Sequence, residues 1–161
     1  MEKVECLNSL QKFVQDELDV YGKSCKESSA YKYKKWFIDN AKTFTDVDEK
    51  ISKEISDNNG CKIKQCYRNI WVSLSSNPEM QYYEGFVISN SCPIPIEHCF
   101  GIIDGKVIDP TLIIDLDSYK NRLGTQYYGV NIPNEWVIKQ GFKTKMTGKF
   151  IFDYWREIIN G

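Results

Sequence analysis

The fold is decided by residues 97–111, which read EHCFGIIDGKVIDPT. Two short apolar runs flank the dipeptide Asp104-Gly105, which is typical of a two-residue β-hairpin turn. We therefore expect an antiparallel hairpin with these two residues at its tip. Such a turn predicts the cross-strand pairs Ile103–Lys106, Ile102–Val107, Gly101–Ile108 and Phe100–Asp109.

His98, the single histidine of the chain, lies in the first strand of this hairpin. Paired residues share a face and side chains alternate along a strand, so His98 and Asp109 are diagonal neighbours on one face. Diagonal neighbours are about 7–8 Å apart at the backbone, a gap that an imidazole and a carboxylate can span. The hairpin therefore predicts a hydrogen bond between His98 and Asp109, and it turns Cys99 to the opposite face.

Composition indicates a globular protein, since 42% of the 161 residues are hydrophobic and 14% are aromatic. This length predicts one domain over residues 1–161. A formal net charge of −1 and only three arginines give no support for nucleic-acid binding. No apolar run approaches the roughly 20 residues of a membrane span, and no signal-peptide core is visible. We expect a cytoplasmic protein without a membrane partner, located in the host cytoplasm if the chain is viral or from a phage.

Apolar periodicity predicts that residues 1–60 are helical. One helix is expected over residues 3–21, stopped by Gly22. Ser28 or Ser29 is expected to cap a second helix that reaches about residue 44. Thr45 is expected to begin a third helix, which the pair Asn59-Gly60 ends.

Residues 60–112 are expected to form the core, with a helix of about ten residues from Cys66, a strand over 82–89, a loop over 90–95, and the hairpin. Residues 113–161 are expected to be mixed, with a strand at 127–130, a short helix at 133–140 followed by Gly141, and a terminal helix at 150–159. Helices followed by a small antiparallel sheet predict an α+β fold.

The six cysteines are expected to be thiols, because nothing indicates export. With one histidine and no C-x-x-C spacing, we expect neither a metal site nor a cofactor. Cys66 is the best candidate nucleophile, because a helix N-terminus favours a thiolate. Cys61 is its main competitor. The remaining thiols are expected to turn away (Cys99), to be exposed in the loop (Cys92), or to pack in the core (Cys6 and Cys25).

Four segments together resemble the transglutaminase-like, papain-fold cysteine enzymes. They are Cys66-Tyr67-Arg68-Asn69, Tyr83-Glu84-Gly85, Pro95-Ile96-Glu97-His98 and Val107-Ile108-Asp109-Pro110-Thr111. In that superfamily a helix-starting cysteine precedes a strand, then a histidine strand, then a strand ending in Asp-Pro. The resemblance covers about residues 60–112. It implies Cys66 as nucleophile, His98 as base and Asp109 as the group that fixes the histidine tautomer.

The chemistry implied is acyl transfer through a thioester, on a peptide, a protein or a small amide. The Cys66 backbone N–H would hold the oxyanion, with Gln65 or Gln81 as the second donor. Glu84 is expected either to line the site or to brace its strand. Asn69 is expected to orient a group near the site or to lie on a polar helix surface, and Phe100 to form an aromatic wall.

Two other functions remain open from the sequence. The first is a catalytically silent member of the superfamily that uses its groove to bind a partner, such as a host factor if the protein is viral or from a phage. The second is a structural protein whose thiols are incidental. A binding module has no need of an activated thiol, so the reactivity of Cys66 discriminates between the enzyme and these alternatives.

Overall fold

The computed structural model describes residues 2–90, 92–114, 124–145 and 148–161. Within them the protein is α+β, with six helices and a five-stranded antiparallel sheet. The helices are α1 (Glu2–Ser24), α2 (Ser29–Asn40), α3 (Glu49–Asn58), α4 (Cys66–Leu74), α5 (Asn134–Thr144) and α6 (Ile151–Asn160). The strands are β1 (Lys42–Phe44), β2 (Gln81–Ser89), β3 (Cys92–Ile103), β4 (Lys106–Ile108) and β5 (Gly124–Ile132). None of the described helices is long and apolar enough to cross a membrane.

The sheet has the strand order β1-β5-β2-β3-β4, and every neighbouring pair is antiparallel. The two central strands are β2 and β5, although about 35 residues of chain separate them. The sheet therefore takes strands from all three parts of the chain, and the predicted sequence of helices followed by a separate sheet is only partly right. Strand β3 carries His98, and the short β4 covers only its last three residues.

The β3–β4 hairpin has the predicted register, with Gly101 opposite Ile108 and Ile103 opposite Lys106. Its turn residues Asp104 and Gly105 have φ values of 49° and 77°. Two successive left-handed residues form the turn whose twist matches that of a hairpin, which explains the preference for Asp-Gly. The ladder ends at Ile108, so the predicted pair Phe100–Asp109 does not form and Asp109 lies just beyond the strand.

The two faces of the sheet bury different clusters. One face packs against helices α1, α2, α4 and α5 and holds the larger cluster, which includes Leu10, Phe37, Ile70 and Val137. The other face buries a smaller, mostly aromatic cluster: Tyr83, Val87, Phe100, Ile102, Val107 and Tyr127, against which Phe44, Val47 and Leu112 pack. We call these the helical face and the aromatic face. His98 follows the alternation of Phe100 and belongs to the aromatic face.

Helix α2 ends at Asn40, several residues earlier than predicted, because the following residues join the sheet. Ala41 is extended, and Lys42 to Phe44 pair with Gly129 to Tyr127 of β5. The N-cap of α2 is Ser28, whose side chain accepts from the Tyr31 N–H at 3.2 Å. The predicted cap of α3 at Thr45 is wrong, since Asp48 accepts from the Ile51 N–H at 3.0 Å and caps the helix.

Two glycines lie inside helices that they were expected to end, and two prolines that were expected in a loop lie inside β3. Helix α1 continues through Gly22, and α5 continues through Gly141. A Cβ on Gly141 would lie 1.7 Å from the Trp71 indole nitrogen, so this glycine permits close packing of α4 on α5. The predicted loop at 90–95 is wrong, because β3 begins at Cys92. Proline is tolerated there because β4 does not cover this part of β3, which is an edge.

Candidate active site

Asp109 is fully buried and is held by hydrogen bonds on both carboxylate oxygens. Its Oδ2 lies 2.8 Å from His98 Nε2, which is the hydrogen bond predicted from the hairpin. The same oxygen accepts from the Tyr127 hydroxyl at 2.8 Å. Its Oδ1 accepts from the N–H groups of Thr111 and Leu112 at 3.1 and 2.9 Å. Four donors on one buried carboxylate indicate that it is ionised.

Helix α3 fixes the backbone at Asp109. The Asp109 N–H donates to the Ser52 hydroxyl at 2.9 Å, and that hydroxyl donates to the Asp48 carbonyl at 2.6 Å. Both Ser52 and Asp109 are fully buried. The carboxylate is therefore supported at its backbone as well as at its oxygens, which leaves it one orientation toward His98.

His98 is 3% exposed, and two effects act on its protonation. Burial alone lowers the pKa of a histidine, since it disfavours the charged imidazolium. The Asp109 charge and hydrogen bond, together with a hydrogen bond and charge interaction with Cys66, outweigh burial and raise the pKa of His98 to about 10. The pKa of Asp109 is lowered, because His98 and the other donors outweigh its own burial. The pair is accordingly an imidazolium and a carboxylate at neutral pH.

Cys66 is the first residue of α4, as predicted, and is half-buried. The free N–H groups and the dipole of a helix N-terminus favour negative charge on a side chain at this position. The Gln65 side chain does not cap the helix. Nε2 of His98 is engaged by Asp109, so Nδ1 is the ring nitrogen left for the thiol.

Cys66 and His98 both line a pocket of about 370 Å³. Its wall is mostly apolar and comes from the connector before α4, from β3 and from the segment after Asp109. The lining residues are Ile63, Lys64, Cys66, Tyr67, Ile96, Glu97, His98, Thr111, Leu112 and Ile114. Two aliphatic side chains of this lining reach solvent, since Ile63 and Ile96 are 50% and 43% exposed. A pocket of this size and lining suits a small apolar group.

The other described cysteines lack these features. Burial raises the pKa of Cys61, despite hydrogen bonds to Ser73 and Ser56 that lower it, and Cys61 is not among the residues that line the pocket. Cys99 is fully buried in the helical-face cluster, turned away from His98 as predicted. Cys25 is exposed, which contradicts its predicted core position. The side chain of Cys6 lies outside the described residues.

Asn69 joins the two segments on either side of the pocket. Its Nδ2 donates to the Lys62 carbonyl at 2.7 Å and to the Thr111 hydroxyl at 2.9 Å, and its Oδ1 accepts from the Lys62 N–H at 3.0 Å. Asn69 is fully buried, so the alternative of a polar helix surface is wrong. This side chain ties the connector that leads to Cys66 to the turn that follows Asp109.

The two glutamines proposed as oxyanion donors lie in different places. Gln65 is exposed and immediately precedes Cys66. Gln81 starts β2 opposite Ile102, four residues from Gly85, which pairs with His98. At about 3.3 Å per residue, Gln81 is roughly 13 Å along the strand from the site. Gln81 therefore cannot donate to the oxyanion, and of the two glutamines only Gln65 remains a candidate.

Glu84 and Phe100 lie behind the site and not in the pocket. Glu84 is 1% exposed on the helical face. It accepts from the Tyr82 hydroxyl at 2.6 Å and from the N–H groups of Phe150 and Ile151 at 2.7 and 3.1 Å. It thus braces the start of α6, one of its two predicted roles. Phe100 is fully buried with its ring centroid 5.0 Å from that of Tyr127, so it supports the site from behind.

Tyr127 and Ser52 are site residues that the sequence analysis did not identify. Tyr127 was expected only as part of the strand at 127–130, and its hydroxyl reaches Asp109. The sequence contains no local signal for this contact, because β5 reaches the site only through the strand order of the whole sheet. The described residues contain no cluster of three or more histidine, cysteine or acidic side chains able to hold a metal ion.

Comparisons with protein-family models, with curated proteins and with solved structures found no match to this chain. The function must therefore be argued from the geometry of the site alone.

Proposed function

We propose that this protein is a cysteine-dependent acyl-transfer enzyme with a papain-like, transglutaminase-like fold. The observation that carries the proposal is the shared pocket of Cys66 and His98, with His98 oriented from behind by the buried Asp109 carboxylate. A nucleophile, a base and an orienting group are the three roles that an activated cysteine requires. A histidine and an aspartate buried only for stability need neither a helix-starting thiol nor a pocket.

The reaction begins with a Cys66 thiolate and a His98 imidazolium. The sulfur attacks a substrate carbonyl carbon, and a C–S bond forms while the carbonyl oxygen takes the electron pair. The C–N bond of the amide then breaks, and His98 gives its proton to the leaving amine. Water attacks the resulting thioester, with His98 accepting a proton from that water. Loss of the acid product returns the thiolate and the imidazolium.

Asp109 keeps its role throughout this cycle. Its Oδ2 holds Nε2–H of His98, so the proton that moves is the one on Nδ1, the ring nitrogen left for Cys66. The same carboxylate stabilises the imidazolium before the attack and after water is activated. The oxyanion is assigned to the Cys66 backbone N–H, with Gln65 as the remaining candidate for a second donor.

The proposed substrates are peptides, proteins or small amides with an apolar group next to the reacting carbonyl. The lining of the pocket supports this choice, since it includes the partly exposed aliphatic side chains of Ile63 and Ile96. The proposed chemistry requires no metal and no organic cofactor. Transfer to an amine in place of water needs only that an amine reach the same thioester.

An activated ester tests the proposal without knowledge of the natural substrate. With p-nitrophenyl acetate, we expect a burst of about one equivalent of p-nitrophenol and one acetyl group on Cys66 by peptide mass spectrometry. Cys66→Ala and His98→Ala should abolish the burst. Cys61→Ala, and Cys25→Ala as a control at an exposed thiol, should retain it. Acetylation spread over several thiols and unaffected by His98→Ala would favour the catalytically silent binding module.

A further inference from the structure

One oxygen of Asp109 is shared between two donors from different strands. Oδ2 lies 2.8 Å from His98 Nε2 of β3 and accepts from the Tyr127 hydroxyl of β5, also at 2.8 Å. The same hydroxyl group has a second partner, because its oxygen accepts from the Gly124 N–H at 3.1 Å. Its ring contacts the Phe100 ring edge-on at a centroid distance of 5.0 Å. Tyr127 is thus held in one position against the carboxylate.

Burial leaves the Tyr127 hydroxyl no alternative acceptor from solvent. Asp109 and Tyr127 are fully buried, and His98 is 3% exposed. Burial and the Asp109 charge both raise the pKa of Tyr127, so the phenol stays neutral and stays a donor over the whole working range of pH. A neutral donor on a buried carboxylate acts by orienting it and by sharing its negative charge.

We propose that Tyr127 is a positioning residue, whose hydroxyl holds Asp109 Oδ2 toward His98 and limits how strongly this carboxylate retains the imidazole proton. The proposal rests on the proposed function only for its consequence at Cys66. Two donors that share an oxygen compete for its electron density, so removing one strengthens the attraction of the oxygen for the other. Tyr127 would therefore set the upper pH limit over which His98 stays protonated.

The titratable groups around the Asp109 carboxylate come from four elements or segments. Cys66 comes from α4, His98 from β3, Asp109 from the segment after β4, and Tyr127 from β5. Helix α3 contributes the uncharged hydroxyl of Ser52, which accepts from the Asp109 backbone N–H. On the open side of the pocket lie the charged residues Lys64 and Glu97, and Glu97 is paired with Lys149. The charge of Asp109 is therefore the one that Tyr127 directly modifies.

Because His98 is the only histidine, its ring can be followed by NMR in the full-length protein without assignment ambiguity. With ¹⁵N-labelled histidine, we expect Tyr127→Phe to move the titration midpoint of His98 upward by about 0.5–1 pH unit. Tyr83→Phe is the matched control. Tyr83 lies on the same face and stacks on the same Phe100 ring, and no hydrogen bond links it to Asp109. This control should leave the midpoint unchanged.

A second substitution should shift the His98 midpoint in the opposite direction, and it keeps the hydrogen bond between residue 127 and Asp109. Site-specific 3-fluorotyrosine at position 127 makes the phenol a stronger donor, so the His98 midpoint should move downward. It also keeps the test informative if Tyr127→Phe does not fold. Midpoints that agree in all these proteins would overturn the role of Tyr127, whatever the reactivity of Cys66. The two substitutions could shift the His98 midpoint in opposite directions while Cys66 labelling does not depend on His98. That result would support the positioning role of Tyr127 and reject the proposed function.

Discussion

Asp109 and Glu84 are two buried carboxylates with almost the same kinds of hydrogen-bond partner, but their pKa values shift in opposite directions. Each accepts from one tyrosine hydroxyl and from two consecutive backbone N–H groups. Burial raises the pKa of Glu84 to about 7, although its donors act against this, whereas the pKa of Asp109 is lowered. Asp109 has a fourth partner, His98, and Glu84 has no such cation in direct contact.

The difference teaches that neutral donors, even with the charge of Lys149 acting in the same direction, do not offset the cost of burying the Glu84 carboxylate. An adjacent imidazolium does so for Asp109, because its charge interacts with the carboxylate in surroundings that exclude water. Glu84 consequently braces the start of α6, while Asp109 holds a charged histidine beside a thiol. The same comparison predicts which of the two carboxylates matters for reactivity and which for stability.

The largest expected effect is on the reactivity of Cys66. Asp109→Asn removes the negative charge that keeps His98 protonated, so the thiolate loses its counter-ion. A thiol without such a partner is only about 1/300 ionised at pH 6, and alkylation of Cys66 should slow by about 100-fold. Glu84→Gln is the matched substitution and should change the rate less than twofold. Equal losses in both variants would show that the reactivity does not depend on Asp109.

Stability should respond most strongly to loss of His98. His98→Ala leaves the Asp109 charge buried without its cation, which should cost about 3 kcal/mol in urea unfolding at pH 6. The double variant His98→Ala/Asp109→Asn removes that charge and should recover a measurable part of the loss. A double variant less stable than His98→Ala would contradict the view that uncompensated charge causes the effect.

The contributions of the two carboxylates to stability should also be lost in different pH ranges. The pKa of Glu84 rises from 4.5 to about 7 on folding, so its contribution to stability is complete below 4.5 and is lost as the pH rises through 7. The pKa of His98 rises from 6.5 to about 10, so its contribution is complete below 6.5 and is lost as the pH rises toward 10. Asp109, with its lowered pKa, loses its contribution only as the pH falls below 3.8.

Urea unfolding of the wild type and its variants at pH 5, 7 and 9 measures these contributions. Glu84→Gln should flatten the decline in stability between pH 5 and 7 and leave the decline above pH 7. The double variant His98→Ala/Asp109→Asn should flatten the decline above pH 7 and leave the decline between pH 5 and 7. A decline above pH 7 that persists in the double variant would assign it to another group.

The smallest effect is expected at Ser52, which supports the backbone of Asp109. Ser52→Ala leaves the buried Asp109 N–H without its acceptor and should lower stability by about 1–2 kcal/mol. Ser75→Ala is the control, because Ser75 is exposed and bonds only within its own turn. It should change stability by less than about 0.5 kcal/mol. Similar losses in both variants would mean that the Ser52 contact with Asp109 adds nothing.

The part of the site that the sequence predicted is the part that local rules determine. The Asp-Gly turn fixes the register of a two-residue hairpin, and this brings His98 to Asp109 across eleven residues. The start of α4 at Cys66 follows from the periodicity of the helix. Neither inference requires the order of the strands.

The parts that the sequence analysis missed depend on contacts between distant segments. Tyr127 reaches Asp109 because β5 lies between β1 and β2, a topology that no short motif specifies. Gly141 stays helical because Trp71, 70 residues earlier in the chain, packs against it. The extent of α2 was overestimated because Lys42–Phe44 have a partner in β5, and tertiary pairing there outweighs helical periodicity.

The most direct test of the account is the rate of iodoacetamide labelling at each cysteine between about pH 5 and 9, in wild type and in His98→Ala. We predict that Cys66 is labelled fast at acidic pH, that His98→Ala abolishes this fast labelling, and that the labelling of Cys92 is the same in both proteins. Labelling of Cys66 that rises only near pH 8.5 and is unchanged by His98→Ala would contradict the central claim, because it would show that His98 does not activate the thiol.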